Sequence, residues 1–316
     1  MPLPQKVLIH EVGPREGFQF EPITLPTDLK VEFIEALART GLKDIEVASF
    51  VRSDVVPQMA DAESLVDKLT LYPGVTYTGT YLNVKGLERA SRTGKLRLKH
   101  GLTISASETF SQRNQNADHQ EAYNQLAKRA DIFREWGIGS VTLGVAAAYG
   151  CNYEGDIPLP KVLDWIKKLE ELAFARDFKI EEIRLLDTMG WANPKSISES
   201  IEAIHELWPG KTVSLHLHDT RGLGMANAYA ALRLGVSDFD TAVGGLGGCP
   251  FADHKGAAGN IATEDFVLLC EEMDIETGVN LDALIECALM AETLVGHPLP
   301  GKVKTGGNLN RYRQKW

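Results

Sequence analysis

Eight short runs rich in β-branched residues recur along the chain at nearly even spacing, each followed by a stretch of helical period. This alternation limits the fold more than any other feature. The runs are 6–12 (KVLIHEV), 43–50 (KDIEVASF), 75–82 (VTYTGTYL), 97–105 (RLKHGLTIS), 140–146 (SVTLGVA), 181–187 (EEIRLLD), 213–218 (VSLHLH) and 238–243 (DFDTAV). Their starts lie about 33 residues apart on average, the size of one βαβ unit. Between them come helical patterns such as 27–39, 118–136, 160–176 and 195–207, several opened by Thr, Asp, Pro or Ser, the residue types that start helices. Eight units in series predict an α/β chain closed into a (β/α)8 TIM barrel. It is read as a single domain over 1–316, in which 275–316 form a helical extension ending in the basic segment GKVKTGGNLNRYRQKW. A doubly wound open sheet is the competing fold, but the Gly-rich phosphate fingerprint expected after its first strand is missing, since the chain there reads EVGPREGFQFE.

Composition narrows the function. Hydrophobic residues make up 44% and charged residues 24%, enough for a full core. Lys and Arg number 33 against 43 Asp and Glu, a net charge of −10 that argues against a nucleic-acid partner. No apolar run approaches the ~18–20 residues that cross a bilayer, and the opening MPLPQKVLIHEVGPREG has no signal-peptide pattern. The expectation is a cytoplasmic protein without a membrane partner. Cys151, Cys249, Cys270 and Cys287 are widely spaced with no CxxC pair, which argues against a disulfide framework or a zinc ribbon. Cys270 and Cys287 lie on apolar helical faces and read as core; the role of Cys151 stays open.

In a TIM barrel the chemistry belongs at the carboxyl ends of the strands. The unusual polar groups fall there: Arg15 and Glu16 after the first run, Glu46 late in the second, Asp187 at the end of the sixth, His216 and His218 at the end of the seventh, and Cys249 with Asn260 after the eighth. Closure puts the eighth strand beside the first, so these residues point to one site. HLH places two imidazoles at i and i+2, on one face of a strand. With the carboxylate of Glu16 and the amide oxygen of Asn260 they form a set suited to an octahedral Mg²⁺ or Mn²⁺, although zinc or cobalt also suits such donors. Arg15 is suited to hold a carboxylate or a developing enolate oxygen, or else serves as an ordinary ion-pair partner. Glu46 and Asp187 would flank the metal, either moving protons or pairing with Arg15 and a ligand histidine. The stretch GGLGGCPFADHKGAAGN (244–260) holds six glycines in seventeen residues and a lone cysteine, which makes Cys249 a candidate thiol acid, base or nucleophile.

Together EVGPREGFQFE, IEVASF, LLDTMG, HLHDT and GLGGCPF…GAAGNIATED resemble the 3-hydroxy-3-methylglutaryl-CoA lyases of the DRE-TIM metallolyase superfamily, which also holds isopropylmalate, homocitrate and citramalate synthases. The resemblance runs from about residue 6 to about 295, with the motifs in family order. It implies a TIM barrel, a divalent metal, and retro-Claisen cleavage of a branched hydroxyacyl-CoA to a ketone and an acyl-CoA; the partner is then a small acyl-CoA, and a homo-oligomer, dimer or tetramer, is compatible. By motif position it implies metal ligands Glu16, His216, His218 and Asn260, catalytic roles for Arg15, Glu46 and Cys249, a place in the site for Asp187, and His216 or a nearby carboxylate as base. A Claisen-condensing synthase is the alternative.

The chain also departs from the family pattern. PREGFQFE replaces the usual PRDGLQNE, lengthening the metal carboxylate by one methylene and introducing Phe18 and Phe20, which are expected to add apolar bulk beside the metal ligand. HDTRGLG introduces Arg221, small residues before the strand-six Asp become Arg184 and Leu186, and the Cys loop is longer by two residues around Asp253, His254 and Lys255. Gln19, Phe20, Arg184 and Arg221 are therefore expected to shape the substrate pocket, toward an acyl group of different shape or with an added anionic or polar group. The competing reading has the two arginines facing solvent or paired with Glu154, Asp156 or Asp253.

Overall fold

The computed structural model describes residues 2–248 and 258–313. Its main strands are β1 (Leu8–Glu11), β2 (Asp44–Ser49), β3 (Thr76–Thr80), β4 (Gly101–Ser105), β5 (Ser140–Ala146), β6 (Lys179–Asp187), β7 (Thr212–Leu217) and β8 (Asp238–Thr241). Each overlaps its predicted run. All eight are parallel, in the order β3-β2-β1-β8-β7-β6-β5-β4. β8 lies beside β1, pairing Asp240 with His10. A parallel bridge from Thr78 of β3 to Arg97, just ahead of β4, brings the two edges of the curled sheet together. The result is an α/β TIM-barrel-like fold.

Strand periodicity sorts the side chains into two layers. Ile45 and Val47 of β2, Ile183 and Leu185 of β6, and Val213, Leu215 and Leu217 of β7 are buried against the outer helices. Alternate residues on the same strands, Asp44 and Glu46, Arg184, and Ser214 and His216, face inward, so the barrel axis is polar. Helix starts follow the expected chemistry. The Asn193 side chain accepts N–H bonds from Lys195 and Ser196, Ser196 completes a capping box, and Pro194 opens helix Pro194–Leu207. Asp118 caps helix His119–Glu135 through the Glu121 N–H.

The tail is built into the barrel rather than appended to it. Helix Leu281–Val295 buries Leu284, Ala288 and Ala291 completely. Ahead of it, the Glu276 N–H donates to the Gln5 carbonyl and the Glu276 carbonyl accepts the Val7 N–H, tying the segment to the start of β1. Beyond it, the Gly301 N–H donates to Gly244 O, so the last turns pack on the loop that follows β8. Cys270 and Cys287 are core residues, as read from their helical faces.

Candidate metal centre and active site

Glu16, His216 and His218 meet at the carboxyl end of the barrel. One ligand atom from each lies within 4.8 Å of the others, and all three side chains are buried. His216 and His218 come from the end of β7 and the residue after it, and strand parity turns both inward. Their Nε2 atoms are 3.0 Å apart and lie 3.6 Å and 3.3 Å from Glu16 Oε1. Glu16 follows β1 in a tight turn made possible by Gly13, where an added Cβ would lie 2.5 Å from Glu11 Oε1. Asn260 is drawn in by an antiparallel bridge to His218. Its Nδ2 donates to Glu16 Oε1 at 3.0 Å and to the Leu246 carbonyl at 3.3 Å, while its buried Oδ1 has no partner. Gly247, at φ +97°, passes so close that a Cβ there would meet Asn260 Nδ2 at 2.6 Å.

The donors fit a divalent cation. The Nδ1 of His216 is engaged by Asp240 Oδ2 at 2.9 Å, so Nε2 is the nitrogen aimed at the other ligand atoms, and a cation bound there would displace its proton. Two imidazole nitrogens and a carboxylate converging on one point, with an unpartnered amide oxygen beside them, form an arrangement that a cation resolves. Burial alone would raise the Glu16 pKa, but the charges of His216 and Arg15 hold it well below the usual carboxylate range. Burial lowers that of His216, and the charges of Glu16 and Asp240 override it, raising the value to about 9. For His218 burial prevails, aided by the neighbouring His216, and its pKa falls.

Arg15 bridges the acids of the site. Its Nε donates to Glu46 Oε1, and a terminal nitrogen lies 3.1 Å from Glu16 Oε2. Glu46 is therefore the partner of Arg15. These groups, with Gln19, Phe20, Arg184 and Gly248, line one cavity of about 640 Å³. Cys249, Asp253, His254 and Lys255 lie outside the described residues.

Three expectations need correction. Asp187 does not flank the metal group. In the β6–β7 register Leu186 is level with His216 and Asp187 with Leu217, so Leu186 faces inward and Asp187 faces the outer layer. There its Oδ1 accepts the N–H groups of Trp191 and Ala192, holding the loop after β6, and burial pushes its pKa up to about 6. Phe18 adds no bulk to the pocket: it is fully buried against Phe33, with ring centroids 5.3 Å apart, and only Phe20 reaches the cavity. Arg221 sits outside the cavity, donating to the carbonyls of Met189 and Gly190 with its guanidinium over Trp191. Arg184 does reach the interior, but it pairs with Asp240 and not with Glu154 or Asp156.

Asp240 is the residue that sequence reasoning passed over. It carries both His216 and Arg184 on one carboxylate oxygen. DFD in the eighth run has the same i, i+2 pattern as HLH in the seventh, and the period-2 rule that picked out the histidines applies to it equally. Glu11 was also missed. Facing outward from β1, it accepts the N–H groups of Gly13 and Val243 and the Thr263 hydroxyl, tying together the loops that carry Glu16 and Asn260.

A parallel barrel with a buried Glu/His/His group and a paired arginine at its carboxyl end defines a metal-binding TIM-barrel enzyme. The HMGL-like family model matches residues 6–290. The chain belongs to that family and, with it, to the DRE-TIM metallolyases. It is 39% identical over 302 residues to the hydroxymethylglutaryl-CoA lyase YngG of Bacillus subtilis, spanning 96% of this chain and 97% of that protein. Over 284 residues it is 39% identical to the cytoplasmic 3-hydroxy-3-methylglutaryl-CoA lyase of Homo sapiens, spanning 90% of this chain and 74% of that one. Its fold matches that of an HMG-CoA lyase from Acinetobacter baumannii in complex with coenzyme A and 3-methylmalate, with a TM-score of 0.86, 35% identity and 96% of each chain covered. The B. subtilis lyase structure matches with a TM-score of 0.87 and 38% identity, covering 96% of this chain and 98% of that one. No helix among the described residues is long and apolar enough to cross a membrane.

Proposed function

We propose that this protein cleaves a carbon–carbon bond in a branched 3-hydroxyacyl-CoA of the 3-hydroxy-3-methylglutaryl-CoA type, releasing acetyl-CoA and a 3-oxo acid. The observation that carries the reading is the Glu16/His216/His218 group with Arg15 beside it, facing a cavity with an open mouth, in a chain closely similar along its length to lyases of that name. A divalent ion, Mg²⁺ or Mn²⁺, held by Glu16, His216, His218 and Asn260 supplies Lewis-acid polarisation of the substrate's oxygens.

Arg15, fixed by Glu46 and Glu16, holds the thioester carbonyl and the negative charge that develops on it. The hydroxyl proton goes to Glu46. His216 is not free to take it, because Nδ1 is committed to Asp240 and Nε2 to the ligand group. As the proton leaves, the hydroxyl oxygen forms a carbonyl, the bond between the hydroxyl-bearing carbon and the carbon next to the thioester breaks, and its electron pair becomes the thioester enolate. The Cys249 thiol protonates that carbon, giving acetyl-CoA. The placement of Gly248, its neighbour in the chain, on the cavity wall supports this assignment. A general acid or base of this kind contributes roughly 10²–10⁴ in rate.

The test is acetyl-CoA release from 3-hydroxy-3-methylglutaryl-CoA and longer-branched analogues with Mn²⁺ or Mg²⁺. EDTA should abolish turnover and leave far-UV ellipticity intact, and Glu46→Gln and Cys249→Ala should each lose an acid/base-sized factor. Absence of acetyl-CoA from every such thioester refutes the reading.

A further inference from the structure

The curled sheet is least closed where its two ends meet. β3 and β4 are the end strands of the order, and among the described residues one backbone hydrogen bond joins them, from the Arg97 N–H to the Tyr77 carbonyl. Beyond that bond, side chains take the place of the ladder. The Tyr81 hydroxyl donates to the Lys99 carbonyl. Arg129, on helix His119–Glu135, reaches in from the outer layer. One of its terminal nitrogens donates to the Leu82 carbonyl at 3.0 Å and the other to the Gly101 carbonyl at 3.1 Å. Tyr81, Leu82, Gly101 and Arg129 all line the cavity that holds Glu16, His216 and His218.

The two carbonyls use part of the guanidinium's hydrogen-bonding capacity and leave its charge unanswered. Among the described residues Lys30 and Arg129 are the only buried lysine or arginine. Lys30 has Asp61 at 2.8 Å, whereas no described carboxylate lies within 4.0 Å of Arg129. Burial pulls its pKa down, and only the Tyr81 hydroxyl opposes that. A guanidinium keeps its proton in a protein, so a full positive charge stands in the cavity wall without a counter-ion, which is costly. Two of its five N–H groups are engaged, and Nε is buried with no partner. The arginines nearer the axis differ, since Arg15 is held by Glu46 and Glu16, and Arg184 by Asp240.

The strand beside this charge is bare on its inner face. Leu102 and Ile104 of β4 are buried against the outer helices, so Gly101 and Thr103 share the face toward the axis. A Cβ added at Gly101 would meet nothing closer than Thr103 Oγ1 at 3.5 Å, so the space beside Arg129 is open. The strand order sets the seam across the bore from β7, which carries His216. Eight tilted strands about 4.8 Å apart make a bore roughly 15 Å across between backbones, and the side chains of β7 occupy part of it. A short acyl chain anchored near the histidines therefore extends toward the seam.

We propose that Arg129 binds a carboxylate at the far end of the acyl group, and that the enzyme selects acyl-CoA substrates carrying one. The proposal rests on the lyase reading, in which the hydroxyl and the thioester carbonyl face Glu16, His216, His218 and Arg15 and the far carboxylate has no other assigned partner. A carboxylate supplies the missing charge and accepts the remaining N–H groups. A neutral end group leaves the guanidinium unpaired.

The experiment compares kcat/KM, read as acetyl-CoA release with Mn²⁺ present, for 3-hydroxy-3-methylglutaryl-CoA and its C5 carboxamide, which has nearly the same shape and no charge. The parent enzyme should prefer the acid by at least about tenfold, because a site built to pair one group rejects an analogue that lacks it. Arg129→Met should bring the acid-to-amide ratio close to one, whereas the loss of a merely structural bridge would lower both substrates alike. Gly101→Val keeps Arg129 in the seam and places a side chain between it and the axis, so it decides the matter even where the Met variant fails to fold. It should lower the ratio by about fivefold or more with Mn²⁺ affinity within twofold of the parent. Equal use of acid and amide by the parent, or a parental ratio in the Gly101 variant or in a folded Arg129 variant, overturns the proposal while acetyl-CoA release keeps the lyase reading intact. No release from either thioester removes both.

Discussion

Replacing Asp240 by Asn should separate two roles that one carboxylate performs. Asp240 Oδ2 holds His216 Nδ1 at 2.9 Å and is also the partner of Arg184. Despite burial, the Arg184 and His216 charges keep its pKa far below the usual carboxylate range, so it is ionised at neutral pH. Removing an outer-shell carboxylate from a metal-bound histidine typically costs about 10–100-fold in metal affinity, equivalent to about 1.4–2.7 kcal/mol. The same change strips Arg184 of its carboxylate, and breaking a buried pair costs about 3–5 kcal/mol of stability. Asp240→Asn should show both losses, in Mn²⁺ titration calorimetry and in urea unfolding of the metal-free protein. The double variant Asp240→Asn with Arg184→Met removes the stranded cation, so stability should largely return while Mn²⁺ affinity stays low. Affinity within twofold of the parent in Asp240→Asn would refute the orienting role. Recovery of affinity in the double variant would show that Asp240 acts on the metal group only through Arg184.

Other consequences can be read with similar means. Burial pushes the Glu264 pKa up to about 8 and that of Glu11 up to about 7, against 4.5 for a free carboxyl. Between about pH 4.5 and 8 the folded chain therefore holds protons that the unfolded chain lacks, and stability should fall as pH rises, by up to about 5 kcal/mol from Glu264 alone. Urea midpoints at pH 5.5 and 8.5 measure the slope, and Glu264→Gln should flatten it; a variant with the parent's slope contradicts the assignment. Phe18→Ala should cost about 3–5 kcal/mol in unfolding free energy with Mn²⁺ affinity unchanged, since the ring packs on Phe33 and not in the cavity. Asp187→Asn retains the acceptor that holds Trp191 and Ala192, so Mn²⁺ affinity should match the parent; a large loss would put Asp187 back beside the metal.

The eight strands were legible because a parallel barrel imposes an even βαβ repeat, and the repeat survives in the spacing of β-branched runs. The metal group was legible for a related reason. Alternation on a strand sends both histidines of HLH to one face, and barrel closure carries Glu16 and Asn260 to meet them. What a linear reading handled less well was which face of a strand a residue occupies when no partner pattern marks it. Asp187 and Leu186 are neighbours, and only the register against β7 decides that the leucine faces the axis and the aspartate the helices. Register also brings Asp240 level with His216 and gives Arg184 its partner, some 56 positions away along the chain. Phe18 and Phe20 share one motif, yet the short turn of helix they form sends one ring into the core and the other to the cavity wall. Composition and periodicity thus determined the architecture and the residue types at the carboxyl end of the barrel. The pairing of charges along its axis was decided by tertiary structure, because an ion pair depends on distances of a few ångströms between strands, which no spacing along the chain encodes.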